Sequence, residues 1–411
     1  VDSPSDLPLG LHSTEFLEDP SPTLAWLREH APVHESPHGY WLLTRYDDVA
    51  AALRDPRLSS DWGAKRRRAA VADDPFTRAQ QVVFHSFNMQ DPPHHTRLRA
   101  LIQQAFTRAA VDDRRERVVA LVEEFLDRAA ARPDRRLDLV TELAFPLTIT
   151  VASEMIGIPP DERDGFRASF EDTERLSDPT ASPRQRSAGR DALVWQVATL
   201  SDVVAQRRAQ PRDDLVSALV EAEESGQQLS ADEIVAALLT LYTAAGTTTE
   251  RMISSGMLLL LRHPEQWGAL CADPARLVGG AVTEILRFHH PNQQTSTNRL
   301  ALEDVTIRGV TIPAGSTVRL GLGAANRDPT RWDEPDRFDI ERRETVSLAF
   351  GQGIHFCIGA PLARMQAALV IGRIAERFPG VRLADDTIRH DPRRMDRYER
   401  VVVELRSADP A

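Results

Sequence analysis

The chain has 411 residues, 42% hydrophobic and 27% charged, and carries a net charge of −11. That length and apolar share suffice for one large domain or two ordinary ones, and the acidic balance argues against a general nucleic-acid role. The only two cysteines, Cys271 and Cys357, rule out a four-cysteine zinc site. A disulfide between them can be drawn on paper, but a lone pair in a long chain argues for reduced thiols.

No apolar run is long enough to span a bilayer, and Val1-Asp2-Ser3-Pro4-Ser5-Asp6 is polar and has no signal-peptide core. The expectation is a soluble, cytoplasmic protein. Pro22 to Arg28 reads as helix, Tyr40 to Thr44 as strand, and Asp47 to Leu53 as helix with Asp47 or Asp48 as its cap. Lys65-Arg66-Arg67-Arg68 is a basic run, read either as solvated surface or as an attraction for an acidic substrate. Asp91-Pro92-Pro93 then opens a helix running through Leu101, Ile102 and Phe106. His95 and Arg99, four apart, share one of its faces, either as a plain surface pair or as a clamp for a carboxylate. From Arg114 to Arg207 the pattern is nearly all helix, broken at Gly157-Ile158-Pro159-Pro160 and around Ser177-Asp178-Pro179. Another helix starts at Pro211 to Leu215.

Ser230-Ala231-Asp232-Glu233 is a capping box. Apolar residues continue from it to Leu261, which predicts roughly thirty residues of buried helix, about 45 Å long. Its centre, Tyr242-Thr243-Ala244-Ala245-Gly246-Thr247-Thr248-Thr249-Glu250-Arg251, is weak in helix propensity. Either the threonines bond back to the helix's own carbonyls, or the weak point faces a ligand. Glu284 and Arg287 are three apart and can pair on one helix face. Asn292-Gln293-Gln294-Thr295-Ser296-Thr297-Asn298-Arg299 is a polar segment, exposed or lining a pocket. Val305 to Ile312 alternates around Gly309 as a hairpin, and Val381 to Leu405 reads as short strands. No internal repeat or low-complexity linker appears.

The most informative stretch is Phe350-Gly351-Gln352-Gly353-Ile354-His355-Phe356-Cys357-Ile358-Gly359. Pro361 suits a helix's first turn. The geometry expected is a glycine-rich loop that places a thiolate at a helix N-terminus, where free N–H groups favour a charged sulfur. The bland alternative is a buried structural cysteine. The pattern Phe-Gly-x-Gly-x-His-x-Cys-x-Gly closely resembles the heme-binding loop of the cytochrome P450 monooxygenases. The order of the other segments resembles that family along essentially the whole chain.

The resemblance implies one domain over residues 1–411, mainly α with small β-sheets, holding heme b (iron protoporphyrin IX). Cys357 is then the axial thiolate and the metal ligand. His95, Arg99, Arg299 and His355 fall on propionate-binding positions, and Phe350 packs beside the sulfur, with Gly359 closing the loop. The family's central helix carries Ala/Gly-Gly-x-Asp/Glu-Thr, whose last two residues relay protons to bound oxygen. Counting back from Arg262-His263-Pro264 puts that threonine on Thr248 and the acid on Thr247. Counting from Ala245-Gly246 shifts them to Thr249 and Thr248. Neither register supplies the acid, and Glu250 points away from either position. Ser347 stands where relatives often carry a histidine. Glu284, Arg287 and a downstream arginine, for which Arg337 fits, are expected to form a buried ion network that holds the loop beneath the heme.

Tyr242, Ala245, Asn292, Gln293 and Thr295 are the expected substrate contacts, and Tyr398 lies where a terminal hairpin reaches the family's pocket. The expected activity is insertion of one oxygen atom from O2 into a small, polar or acidic intermediate of secondary metabolism. Electrons are expected from a separate ferredoxin or flavodoxin docking on arginines such as Arg108, Arg114 and Arg364, and the chain is expected to be a monomer. The missing acid keeps open an altered chemistry: peroxide-driven oxidation, aromatic coupling or nitration. A non-catalytic heme sensor and a heme-free helical protein are the remaining readings.

Overall fold

The computed structural model of the chain describes residues 13–61, 63, 74–177, 181–212, 214–224, 229–293, 298–344, 346–384, 388–391 and 398–407. The chain folds into two compact units. One comprises Val1–Leu58, Asp112–Leu147 and Thr248–Ala411; the other comprises Ser59–Val111 and Thr148–Thr247.

The first unit holds the β-structure. Its main sheet runs in the order Val33–Ser36, Tyr40–Leu43, Thr317–Leu320, Arg299–Ala301. The central pair, Tyr40–Leu43 and Thr317–Leu320, is parallel and its neighbours are antiparallel. Apolar side chains beneath it, among them Leu43, Val318, Leu320 and Trp332, form a core with Val49 and Leu348. Arg308 and Gly309, both at positive φ, turn the hairpin between Val305–Ile307 and Val310–Ile312, as its sequence predicts. Helices Arg115–Ala130, Pro264–Ala272, Pro274–Phe288 and Ala360–Arg377 complete this unit.

Two local expectations need correction here. Helix Tyr46–Ala52 is not capped by Asp47 or Asp48, which sit in its first turn after Arg45. Instead the Tyr46 N–H donates to the carboxylate of Asp328, 2.9 Å away, a residue remote in sequence. The Arg114–Arg207 stretch is also interrupted by the strand Arg136–Asp138, which pairs with Val402–Glu404, and by a π-helical turn at Leu139–Ala144. The partner strand lies far along the chain, so local periodicity carries no trace of the pairing.

The second unit is helical. Helices Arg163–Glu174 and Pro183–Ala209 pack together, with Phe166 and Trp195 ring centroids 5.0 Å apart. Ser182 and Gln185 form a reciprocal capping box at the start of the longer one. The predicted box at Ser230 is also present. The Glu233 N–H donates to Ser230 Oγ (3.2 Å), and the Ser230 N–H donates to the Glu233 carboxylate (2.9 Å). It starts a helix of 32 residues, Ala231–Arg262, about 48 Å long at about 1.5 Å per residue. Thr247 ends the part belonging to this unit, and Thr248 begins the part belonging to the first. Among the described residues no helix is long and apolar enough to cross a membrane.

Candidate functional site

The cysteine loop is built from backbone turns that require glycine. Gly351 and Gly353 have φ of 69° and 72°, which side chains rarely adopt. The Gly351 N–H donates to Leu348 O (2.9 Å), the Phe356 N–H to Gly353 O (3.1 Å) and the Cys357 N–H to Phe350 O (2.8 Å). The last bond folds the loop back on its own start and presents the thiol. Gly359 then caps helix Ala360–Arg377, with Pro361 in its first turn. Cys357 is exposed, as are its apolar neighbours Ile354 and Phe356, at 48% and 45%. The Phe350 ring stands edge-on to Phe356 at 6.3 Å, and its other company is the Arg364 guanidinium, 5.0 Å from its centroid.

This arrangement fits a heme. Among the described residues no group of three or more His, Cys, Asp or Glu side chains converges to hold a metal. A lone sulfur therefore suits a metal whose other ligands arrive with its cofactor. Exposed Ile354 and Phe356 beside the sulfur give such a cofactor apolar surface to cover. Cys271 contrasts with it: burial pushes its thiol up to about 11, which leaves it neutral and inert.

The predicted propionate residues fall in both units. Arg299 and His355 belong to the unit that holds Cys357; Arg299 is buried on the main sheet, and His355 is half-buried in the loop. In the second unit, His95 is buried and Arg99 half-buried on one face of helix His94–Ile102. Their neighbour Arg97 is committed elsewhere, to Glu233.

On the long helix, exposure discriminates between the two threonine registers. Ala244 and Thr248 share the open face, whereas Thr247 and Thr249 are 9% and 4% exposed. Thr248 is thus the threonine presented outward, which favours the register counted from Arg262-His263-Pro264. Glu250 is buried and accepts a hydrogen bond from Ser254 Oγ (3.0 Å). Back-bonding threonines are also found, but earlier: Thr240 and Thr243 donate to Ala236 O and Leu239 O. Tyr242, expected at the substrate, lies opposite the open face. Its ring packs edge-on against Phe166 and Phe170 at 5.2 and 6.0 Å, and burial raises its hydroxyl pKa. Gly246 is on that packed face too, against Ile149 and Phe170. Ala245 is half-buried.

Asn292 and Gln293 are half-buried and tied down by backbone bonds. The Asn292 N–H donates to His290 Nδ1 (2.9 Å), and Gln293 O accepts from the Gly323 N–H (3.1 Å). The Gln293 side chain occupies the space a Cβ at position 323 would need. Thr295 and the basic run 65–68 lie outside the described residues. Tyr398 packs on His390, with ring centroids 4.6 Å apart.

The expected buried ion network is present, with one member changed. Arg287 grips both oxygens of Glu284 at 2.7 and 2.8 Å, and both side chains are buried. The downstream arginine is Arg342, whose Nε donates to the same carboxylate at 3.2 Å. Arg337, the expected member, has a side chain 59% exposed and paired with Glu334; only its carbonyl takes part, accepting from Arg287 and Arg342. Sequence reasoning also missed Asn326 and His290. Asn326 Oδ1 accepts the Leu348 N–H at 2.7 Å, and His290 Nε2 donates to Ala349 O at 2.6 Å. The adjacent pair His289-His290 before Pro291 was the one signal available.

An exposed thiol on a glycine loop, in a unit that also holds a buried Glu–Arg–Arg network, points to a heme-thiolate protein. The family model described as Cytochrome P450 matches residues 190–392. The chain is 40% identical to the cytochrome P450 monooxygenase PikC of Streptomyces venezuelae over 386 residues, which is 93% of this chain and 89% of that relative. It is 38% identical to the 6-deoxyerythronolide B hydroxylase of Saccharopolyspora erythraea, over 92% of this chain and 94% of the relative. The solved structure of CalO2 matches with a TM-score of 0.88 at 30% identity, over 98% of this chain and 100% of that one. The chain belongs to the cytochrome P450 family. It is a P450 monooxygenase, and heme b is its cofactor.

Proposed function

We propose that this monooxygenase inserts oxygen into a C–H bond of a polar secondary metabolite, with electrons from a separate ferredoxin or flavodoxin. Bound heme supplies oxygen activation and transfer. Cys357 holds the iron through its sulfur, and Phe350 and Phe356 shield that side with apolar surface. His95, Arg99, Arg299 and His355 take the two propionates; guanidinium–carboxylate bonds are directional and strong. Thr248 receives and passes protons at its hydroxyl. Asn292 and Gln293 orient the substrate through their side-chain amides, that of Gln293 also donating to His290 O at 3.4 Å. Such a pair selects a substrate with hydrogen-bonding groups. The relative that hydroxylates 6-deoxyerythronolide B supports a secondary-metabolic setting. Arg108 and Arg114 are the candidate contacts for an acidic redox partner. Arg364 is not among them, because it bonds Thr283 Oγ1 at 3.0 Å and stacks on Phe350.

The observation that carries the reading is the exposed Cys357 thiol at the start of helix Ala360–Arg377. The test is turnover of a metabolite panel with isotopically labelled O2 and a ferredoxin–reductase pair. Label in the product, with reductant consumed in proportion, supports the proposal. A second reading rests on Thr247, which stands buried where the family has an acid, and on Glu250, held by Ser254. It is oxidation driven by peroxide, aromatic coupling or nitration. Efficient peroxide-driven turnover with none from the ferredoxin pair would select it.

A further inference from the structure

We infer that His290 is a positioning residue that fixes the entry to the cysteine loop and the polar turn after Pro291 in one register. The inference rests on the reading of Cys357 as the heme ligand. Both ring nitrogens are used, and their partners dictate the proton. Ala349 O can only accept, so Nε2 carries the hydrogen that it donates across 2.6 Å. The Asn292 N–H can only donate, so Nδ1 is the bare nitrogen that receives it across 2.9 Å. One neutral tautomer satisfies both, and the ring is 3% exposed, so water offers no substitute.

The position of this link gives it consequence. Leu348 and Ala349 lead directly into Phe350, yet they belong to no strand. Side chains hold them instead: Asn326 Oδ1 takes the Leu348 N–H, and His290 takes the Ala349 carbonyl. Asn326 is itself fixed by Arg287, whose Nη1 donates to its carbonyl at 3.1 Å. Next to His290, Arg251 Nη1 donates to Pro291 O at 3.1 Å, and the Gly323 N–H holds Gln293 O. His290 thus bonds the start of the cysteine loop and the turn bearing Asn292 and Gln293 through a single side chain. The downstream end of the loop is anchored by its helix, whereas this upstream end is held by the bonds from Asn326 and His290, with a longer one from the Ala349 N–H to Ser347 Oγ at 3.4 Å.

Three variants separate the two bonds. His290→Gln keeps a donor for Ala349 O and lacks the Nδ1 acceptor. His290→Asn keeps an acceptor for Asn292 and lacks the donor. His290→Leu, close in volume, lacks both. The first readout is amide hydrogen exchange in peptides covering residues 289–293 and 347–358 of the heme-loaded protein. The second is the rate at which its reduced carbonyl adduct passes from thiolate-type to imidazole-type absorption. Protection of the turn should survive in His290→Asn alone, and protection of the loop in His290→Gln alone. Conversion should quicken about tenfold in His290→Leu and His290→Asn, the equivalent of one lost hydrogen bond, and stay near wild type in His290→Gln. If all three variants behave like wild type, or all three are impaired equally, His290 is packing only and the inference falls. A wild-type protein with no thiolate-type adduct would instead refute the heme-ligand reading itself.

Discussion

Exchanging Arg342 and Arg337 separately tests which arginine completes the buried network. The Arg342 guanidinium donates to Glu284 Oε1 at 3.2 Å, Asp333 O at 2.6 Å, Glu334 O at 3.1 Å and Arg337 O at 2.8 Å. Its side chain is 7% exposed and that of Glu284 3%. Breaking a buried ion pair by removing one partner costs about 3–5 kcal/mol when the other charge is stranded. Glu284 keeps Arg287 and the Asp339 N–H, so the loss for Arg342→Met should be nearer about 2–4 kcal/mol. Arg337→Met removes contacts with Glu334 at 2.9 Å and Asp339 at 3.5 Å, made by a side chain 59% exposed, and leaves the carbonyl that the network uses. Urea unfolding followed by circular dichroism, with heme retention read in parallel, distinguishes them. Arg342→Met should lower the midpoint and release heme sooner, while Arg337→Met should match wild type. A larger loss from Arg337→Met would refute the assignment.

The remaining predictions concern proton relay, the polar turn and pH. Thr247→Glu places an acid next to Thr248, and the fraction of electrons recovered in product should rise; no change would show that the missing acid is not limiting. Gly323→Ala drives its new methyl into the Gln293 side chain, so affinity in a spectral titration should fall several-fold with the thiolate-type adduct intact. An unaltered titration would remove Gln293 from the substrate contacts. Burial, as the larger influence, and His289 push the His290 ring from an ordinary 6.5 down to about 4, against a bond to Ala349 O that favours the charged form. The unfolded chain then binds the extra proton first, so this stability is complete above about pH 6.5 and lost as pH falls toward about 4, by up to about 3 kcal/mol. His290→Leu should flatten that part of the stability–pH curve; an equally steep curve would contradict it.

What the sequence made legible was local. The capping box at Ser230, the hairpin turning on Gly309 and the helix after Pro361 depend on residues within a turn of one another, so their spacing alone carries the signal. The cysteine loop was legible for the same reason, since its glycines and thiol occupy neighbouring positions. The misses are all long-range. Asp328 caps a helix that begins at Tyr46, Arg342 reaches Glu284, and strand Arg136–Asp138 finds its partner at Val402–Glu404. Arg337 looked right because it sits beside Phe338 in the meander, but in the fold its side chain points outward while its carbonyl points inward. The threonine register was undecidable from propensity and is favoured by exposure, because Ala244 and Thr248 lie on the same side of the helix.

The bond between the Cys357 sulfur and the heme iron is the claim that everything else assumes. Its most direct measurement is the absorption of the reduced carbonyl adduct of purified, heme-loaded protein, wild type beside Cys357→Ser. A thiolate-type band is expected in wild type, with its complete loss in the variant. A thiolate-type band that survives Cys357→Ser, or an imidazole-type band in wild type, would contradict it.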